Sequence, residues 1–314
     1  MKKLYPGATI GIINPAFKNP SDVFEKYDYM VKFLEEAGYK VKFGKTYTAA
    51  EGYLAGSDEL RAKDVEEMFL DKEVDAIVCM RGGYGCSRMI DMIDFNIIKD
   101  NPKILCGFSD VTVLLNSIYR HTGLPSMHGL VGIYLGSKRC NEFTNQSFWD
   151  AFTKPQKGRI LKNPDDVKAE TLVEGVAEGV IVGGNLSLIA TLVGSDYEVD
   201  FTDKIVFIEE VTEEPYAIDR YLSAIRLRGM LEKAKGFVFG YFSQCEPGES
   251  KKGTQTYMDL IKQYVGSLGK PVITNFACGH DFPFVTLPIG VKVKMDANEK
   301  TIEILEEIYE TSAN

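Results

Sequence analysis

The stretch "ILCGFSDVTVLL", residues 104–115, contains the change of pattern that decides the fold. Residues 104–108 are almost all apolar, which is typical of a buried strand. From Asp110 onward the apolar side chains recur at the spacing of one helix face, at Val111, Leu114, Leu115 and Ile118. The stretch therefore predicts a strand, a tight turn at Ser109 and then a helix.

The same alternation of strand and helix runs through the first half of the chain. Apolar runs predict strands at 8–16, 40–45, 74–80 and 103–108. Helical patterns lie between them at 21–39, 57–73 and 86–100, with Ser57 as a predicted N-cap. Strict alternation predicts an α/β fold with a parallel sheet. Ligands of such sheets bind at the carboxyl ends of the strands, where the turn at Ser109 is expected.

Composition and charge narrow the function classes. The chain has 314 residues, enough for two domains, and a net charge of −9, which disfavours nucleic acid as a partner. It contains no apolar run of about 18 residues, so no membrane partner is expected. The six cysteines are scattered and the opening lacks a signal-peptide pattern, so the expected compartment is the cytoplasm.

A shift in composition suggests a domain boundary. Residues 154–171 are polar and contain three Pro or Gly residues, so we interpret them as a linker. The predicted domains are 1–153 and 172–314, the second a mixed set of strands and helices. There Asn185 follows a strand and is predicted to cap a helix; we also include it among the candidate substrate-binding residues.

Ser109 has two interpretations. Ser and Asp are favoured at helix N-termini, so Ser109 and Asp110 are candidate caps. Alternatively, Ser109 is a nucleophile on a strained strand-to-helix turn, with the Asp110 N–H in an oxyanion hole. Gly107 matches the G-x-S-x-G motif of such turns, but Val111 replaces its last glycine.

A nucleophilic serine needs a base, and the chain has three histidines. His121 lies in the last turn of the predicted helix, more than three turns from Ser109, where a positive charge suits the helix dipole. His128 lies in a predicted loop close in sequence to Ser109, and His280 follows an apolar strand. The pattern leaves His128 and His280 as alternatives for the base, and His128 is also a candidate substrate-binding residue.

The orienting carboxylate is expected at another strand end. Glu209 and Glu210 follow an apolar run, and a buried carboxylate is costly unless it is paired. Strand alternation turns one of the two inward, and we select Glu209, the residue nearer the sheet. A solvated acidic loop is the alternative.

A glycine-rich loop at residues 80–88 follows the third strand. It lacks the third glycine of a dinucleotide fingerprint and a Walker lysine, so a phosphate site is weakly supported. The alternative is that a backbone N–H of this loop is a second oxyanion donor, opposite that of Asp110. Arg81 and Arg88 are candidate partners for a substrate carboxylate, with solvation as their alternative. None of the histidines has a His or Glu at zinc-site spacing, so no metal is expected.

Taken together, the ordered motifs resemble the LD-carboxypeptidase family of serine peptidases, which includes muropeptide LD-carboxypeptidases and microcin C self-immunity peptidases. The resemblance covers almost the whole chain, through stretches such as "RGGYGCSRMIDMID", "NPKILCGFSDVTVLLNSI", "FIEEVTEEPYAIDRYL" and "CGHDFPFVTLPIG". It implies Ser109 as nucleophile, His280 as base and Glu209 as orienter, with oxyanion donors at Asp110 and around Gly83 to Gly85. It also implies a flavodoxin-like N-terminal domain, a smaller β-rich C-terminal domain, a homodimer, and neither metal nor cofactor.

Two substrates fit the resemblance: a muropeptide that loses a terminal D-alanine, and an aminoacyl or peptidyl nucleotide of the microcin C type. Residues 133–160 and 243–256 are the segments where we expect the specificity difference. From another class of function, a non-catalytic module that binds a nucleotide at the glycine-rich loop is the remaining alternative.

Overall fold

The computed structural model describes residues 1–248, 251 and 253–310, so part of the predicted specificity segment (249, 250 and 252) and the last four residues lie outside it. The chain divides into two compact units. The first contains residues 1–155, 286–289 and the C-terminal stretch from 307; the second contains 156–285 and 290–306.

Strands and helices are numbered along the chain. The strands are β1 (Thr9–Ile13), β2 (Lys40–Phe43), β3 (Ala76–Cys79), β4 (Ile104–Gly107), β5 (Ser126–His128), β6 (Ile160–Leu161), β7 (Glu170–Val173), β8 (Val176–Asn185), β9 (Lys204–Val211), β10 (Gly236–Ser243), β11 (Val272–Thr274), β12 (Leu287–Ile289), β13 (Val291–Asp296) and β14 (Thr301–Ile304). The helices are α1 (Val23–Lys26), α2 (Asp28–Glu36), α3 (Asp58–Leu70), α4 (Cys86–Met89), α5 (Phe95–Asp100), α6 (Thr112–Thr122), α7 (Glu142–Thr153), α8 (Leu186–Thr191), α9 (Pro215–Leu227) and α10 (Tyr257–Val265). Short 3-10 helices lie at Lys45–Tyr47, Ile90–Met92, Ser109–Val111 and Leu231–Lys233.

The first unit is built on a six-stranded sheet in the order β2-β1-β3-β4-β5-β12. Its first five strands are parallel, and β12 joins the edge antiparallel to β5. The order 2-1-3-4-5 is that of flavodoxin-like folds, as the resemblance implied. Strands β3 and β4 are buried along their whole length, as expected for a sheet covered on both faces.

The helices of the first unit follow the prediction with two breaks. The helix expected at 21–39 is two helices, α1 and α2. The helix expected at 86–100 is α4, a 3-10 turn and α5, because the Asp94 carboxylate accepts the Asn96 N–H and starts a new helix. Ser57 caps α3 by accepting the Leu60 N–H, as predicted.

The second unit is built on an eight-stranded sheet in the order β6-β14-β13-β8-β9-β10-β11-β7. Strands β8 to β11 are parallel and the outer strands are antiparallel, which agrees with the expected β-rich domain. The linker predicted at 154–171 is wrong in part, because it contains β6 and the beginning of β7. Only one of the six residues of these short edge strands is buried, so their composition resembles that of a loop.

In the part of the chain that is described, no helix combines the length and the apolar character that a membrane crossing requires.

Candidate active site

Ser109 begins the 3-10 turn that joins β4 to α6, and its backbone is strained. Its φ is +64°, a left-handed conformation that non-glycine residues rarely adopt and that costs roughly 1–3 kcal/mol. The N-cap positions of the 3-10 turn and of α6 are Phe108 and Val111, so Ser109 is not the predicted cap. A strained, partly exposed serine between a parallel strand and a helix has the local geometry of a nucleophile elbow.

The glycine-rich loop lies directly against Ser109. A Cβ atom placed on Gly82 would lie 2.9 Å from the Ser109 Cβ and 3.1 Å from its Oγ. Gly82 was not among the residues predicted from sequence, although its position just after the carboxyl end of β3 was the available signal. Gly83 and Gly85 have φ values of +120° and +142°, which favour glycine. Gly83 is exposed and Gly85 is buried.

The side chain of Asp110 contacts the same loop. Its carboxylate is fully buried and accepts the Cys86 N–H at 2.8 Å. Burial raises the pKa of Asp110, while the hydrogen bond from the Cys86 N–H acts in the opposite direction. Gly83 is exposed whereas Gly85 is buried, so Gly83 is the more accessible of the two candidate oxyanion donors.

The first unit contains three of the candidate substrate-binding residues, Arg81, Arg88 and His128. The Arg88 guanidinium forms a bidentate pair with Asp58 at 2.8–3.1 Å, so its charge is balanced within the unit. His128 is fully buried in β5 rather than in a loop, so its ring presents no surface to a substrate. Arg81 is partly exposed, and its Nη1 donates to the Lys18 carbonyl at 3.2 Å.

In the second unit, Glu209 near the end of β9 contacts His280. The Nδ1 atom of His280 lies 2.6 Å from Oε2 of Glu209, whose side chain is fully buried. Burial by itself lowers the pKa of His280, but the adjacent Glu209 carboxylate outweighs it, so the pKa is raised above 6.5. Because Nδ1 contacts the carboxylate, we expect proton exchange with a hydroxyl to take place at Nε2.

Gly279 makes this pair possible. A Cβ atom at Gly279 would lie 2.9 Å from Oε2 of Glu209, and the residue has a φ of +129°. Any other residue here would be strained and would displace the carboxylate from the imidazole.

Glu210 has a different role from Glu209. Its Oε1 atom accepts the Asn185 Nδ2 at 2.8 Å and the Val211 N–H at 2.9 Å, and its Oε2 accepts the Ser187 N–H at 2.8 Å. Burial, followed by the negative charge of Glu209, raises the pKa of Glu210 to about 7. Asn185 also caps α8 by accepting the Leu188 N–H, as predicted. Its side chain is buried, and its hydrogen bonds are with groups of the same unit.

The structure thus gathers the predicted residues into two groups, one in each unit. Ser109, Asp110 and the glycine-rich loop form the first group. Glu209 and His280 form the second, with the Glu210 network beside them. The first group offers a hydroxyl and backbone N–H donors, and the second offers an oriented imidazole.

Comparisons with known proteins extend over both units. Residues 10–129 match the family described as LD-carboxypeptidase N-terminal domain, and residues 178–295 match the LD-carboxypeptidase C-terminal domain. The probable murein peptide carboxypeptidase of Bacillus subtilis (strain 168) is 38% identical over 96% of this chain and 93% of its own length. The microcin C7 self-immunity protein MccF of Escherichia coli is 26% identical over 97% of this chain and 95% of its own.

A solved structure agrees with these relatives. The muramoyltetrapeptide carboxypeptidase from Oxalobacter formigenes superposes with a TM-score of 0.83 at 26% identity, covering 97% of this chain and all of that one.

Proposed function

The chain belongs to the LD-carboxypeptidase family, and on that basis we propose that this hydrolase is a serine carboxypeptidase that removes a terminal D-alanine from a muropeptide. The names of the Bacillus subtilis and Oxalobacter formigenes proteins support this substrate class. The observation that carries the proposal is the Glu209–His280 pair at 2.6 Å, because a buried carboxylate bound to Nδ1 orients an imidazole as a general base.

In the proposed mechanism, the Ser109 Oγ attacks the carbonyl carbon of the scissile amide. His280 accepts the hydroxyl proton at Nε2, and Glu209 stabilises the imidazolium that forms. The C–N bond breaks as His280 gives the proton to the leaving amine, which departs as D-alanine. Water activated by the same imidazole then hydrolyses the acyl–serine ester and restores Ser109.

The negative charge on the carbonyl oxygen needs donors during both steps. We assign the backbone N–H groups of Asp110 and Gly83 to this task. Support comes from the contact between Gly82 and the Ser109 side chain and from the exposure of Gly83. One such donor is worth about 100- to 1000-fold in rate.

The test is release of D-alanine from a peptidoglycan-derived tetrapeptide that ends in D-alanine. We expect Ser109→Ala to lower kcat by about 10⁴-fold or more. Ser87→Ala is the matched control, since Ser87 is a partly exposed serine on α4 of the same unit, and it should retain the full rate. Equal rates for Ser109→Ala and the wild type would refute the assignment of the nucleophile.

The likeness to MccF over almost the whole chain favours a second candidate, cleavage of an aminoacyl or peptidyl nucleotide amide. The same residues would act in both reactions, so variants at Ser109 do not separate them. Hydrolysis of an acyl-sulfamoyl adenylate without release of D-alanine from the muropeptide would decide for this candidate.

We also propose that the chain forms a homodimer and acts in the cytoplasm, as the resemblance and the sequence suggested. Light scattering of the purified chain at micromolar concentration tests the first point. A monomer at that concentration would contradict it.

A further inference from the structure

The peptide group between Gly85 and Cys86 lies between two buried charges. Its C=O accepts a hydrogen bond from Arg61 Nη1 at 2.8 Å, and its N–H donates to Asp110 Oδ2, also at 2.8 Å. The C=O and N–H of a trans peptide point in opposite directions, so the two side chains hold it from opposite sides. The negative end of the peptide dipole faces the guanidinium and the positive end faces the carboxylate, so both contacts are favourable.

Arg61 makes several further hydrogen bonds in this part of the first unit. Its side chain is fully buried, which is rare for arginine unless its donors are paired. Nη1 also donates to the Pro15 carbonyl at 2.8 Å, Nε donates to the Gly56 carbonyl at 3.4 Å, and Nη2 pairs with Asp58. The guanidinium therefore connects the loop after β1, the beginning of α3 and the glycine-rich loop.

Asp110 holds the other side of the same peptide group and directly follows Ser109 in the chain. Its carboxylate connects the strained turn after β4 to the loop after β3. The proposed oxyanion donors, the N–H groups of Asp110 and Gly83, belong to these two segments. Their separation therefore depends on how the two segments are held together.

We propose that Arg61 and the carboxylate of Asp110 are positioning residues that fix the glycine-rich loop against the Ser109 turn and so set the spacing of the oxyanion donors. This inference rests on the proposed function. An oxyanion donor is best placed about 2.7–3.1 Å from the developing charge, and a misplacement of about 1 Å in an active site can cost roughly 100-fold in rate. Both side chains are fully buried, so we expect substrate binding to be preserved when either is changed.

The experiment compares Asp110→Ala with Asp110→Asn. The alanine variant loses the acceptor for the Cys86 N–H, and we expect kcat to fall about 100-fold while KM stays within threefold. The asparagine variant keeps an oxygen at the same place and should stay within tenfold of the wild type. The rate of Ser109 labelling by a fluorophosphonate, which passes through a similar charged intermediate, should fall by the same factors whichever substrate is correct.

Asp64→Ala is the matched control. Asp64 is also buried, and its carboxylate accepts the N–H groups of Lys45 and Thr46 at 2.8 and 2.9 Å, in a part of the unit with no proposed role in the reaction. Both alanine variants should lose thermal stability, but only Asp110→Ala should lose kcat. Equal loss of kcat in the two would overturn the inference.

Three further outcomes are decisive. An unchanged kcat in Asp110→Ala, with Ser109→Ala inactive, overturns the positioning role and leaves the proposed function intact. Full activity of Ser109→Ala instead overturns the proposed function. If Asp110→Ala does not fold, the test uses Arg61→Lys, in which lysine keeps the positive charge but cannot reproduce the set of guanidinium contacts. We expect kcat of Arg61→Lys to fall at least tenfold while KM stays within threefold. An unchanged kcat in this variant overturns the inference.

Discussion

Gly82→Ala changes one atom beside the proposed nucleophile. The added Cβ would lie 2.9 Å from the Ser109 Cβ, 3.1 Å from its Oγ and 3.4 Å from the Phe108 carbonyl oxygen. The Gly82 backbone lies outside the left-handed region, so alanine is compatible with its conformation. The substitution therefore tests steric contact with Ser109 and little else.

The size of the effect follows from these distances. Carbon atoms pack at about 3.5–4.0 Å, so the Ser109 Cβ must move by about 0.6–1.1 Å to accept the methyl group. A displacement of about 1 Å at a reacting group costs roughly 100-fold in rate. Crowding of this kind costs about 1–3 kcal/mol of folding free energy, so the protein should remain folded.

The assay is the rate of D-alanine release, together with the rate of fluorophosphonate labelling of Ser109. Both should fall about 100-fold, while the loss of about 1–3 kcal/mol lowers the unfolding midpoint by several degrees without unfolding the chain at the assay temperature. Gly123→Ala is the control: Gly123 ends α6 with a φ of +73° and open space around it, so alanine costs about 1 kcal/mol of stability but no activity. Wild-type rates in Gly82→Ala would refute the placement of the nucleophile.

Three further predictions concern the second unit. The pKa of His280 is raised above 6.5, so kcat/KM should fall as the pH is lowered, with a midpoint above pH 6.5. In Glu209→Gln the effect of burial remains and should move that midpoint to lower pH. Equal midpoints in the variant and the wild type would contradict the pairing of His280 with Glu209. The pKa of Glu210 is raised from 4.5 to about 7, so its protonation stabilises the folded chain fully below pH 4.5, and this stabilisation is lost as the pH rises through about 7. Urea unfolding should show the free energy of unfolding fall by roughly 3 kcal/mol over this range, and the fall should be absent in Glu210→Gln. Gly183→Ala would place a Cβ atom 2.0 Å from the Phe207 carbonyl oxygen at a φ of +118°, so it should destabilise the chain by about 2–5 kcal/mol in the same assay, and a smaller change would show that the strand can adjust.

Local patterns in the sequence were enough to predict most of the first sheet, because each of its inner strands is a continuous apolar run next to a helical pattern. β12 was not predicted: its three residues include Pro288, which weakens a strand prediction and is tolerated here because β12 is an edge strand. β6 has two residues and pairs with β14 about 140 residues away, so no periodicity marks it. Such strands are defined by their distant partners.

The residues of the candidate site also divide into those marked by a local sequence pattern and those defined by distant contacts. Ser109, Glu209 and His280 could be selected as candidates because each follows or ends an apolar strand. The contacts of Arg61, Gly82 and the Asp110 carboxylate could not be predicted, because they are with backbone groups or with atoms far away in sequence. The pairing of Arg88 with Asp58 was not predicted for the same reason, since Asp58 lies 30 positions earlier.

Strand β12 links the order of biosynthesis to completion of the first unit. Its partner, β5, ends at His128, whereas β12 begins at Leu287, so the edge of the first sheet stays open until nearly the whole polypeptide has left the ribosome. His280 emerges before that edge is closed. A fragment that stops near residue 155 would lack the closing strand and expose β5, so we expect it to self-associate rather than persist as an independent serine hydrolase.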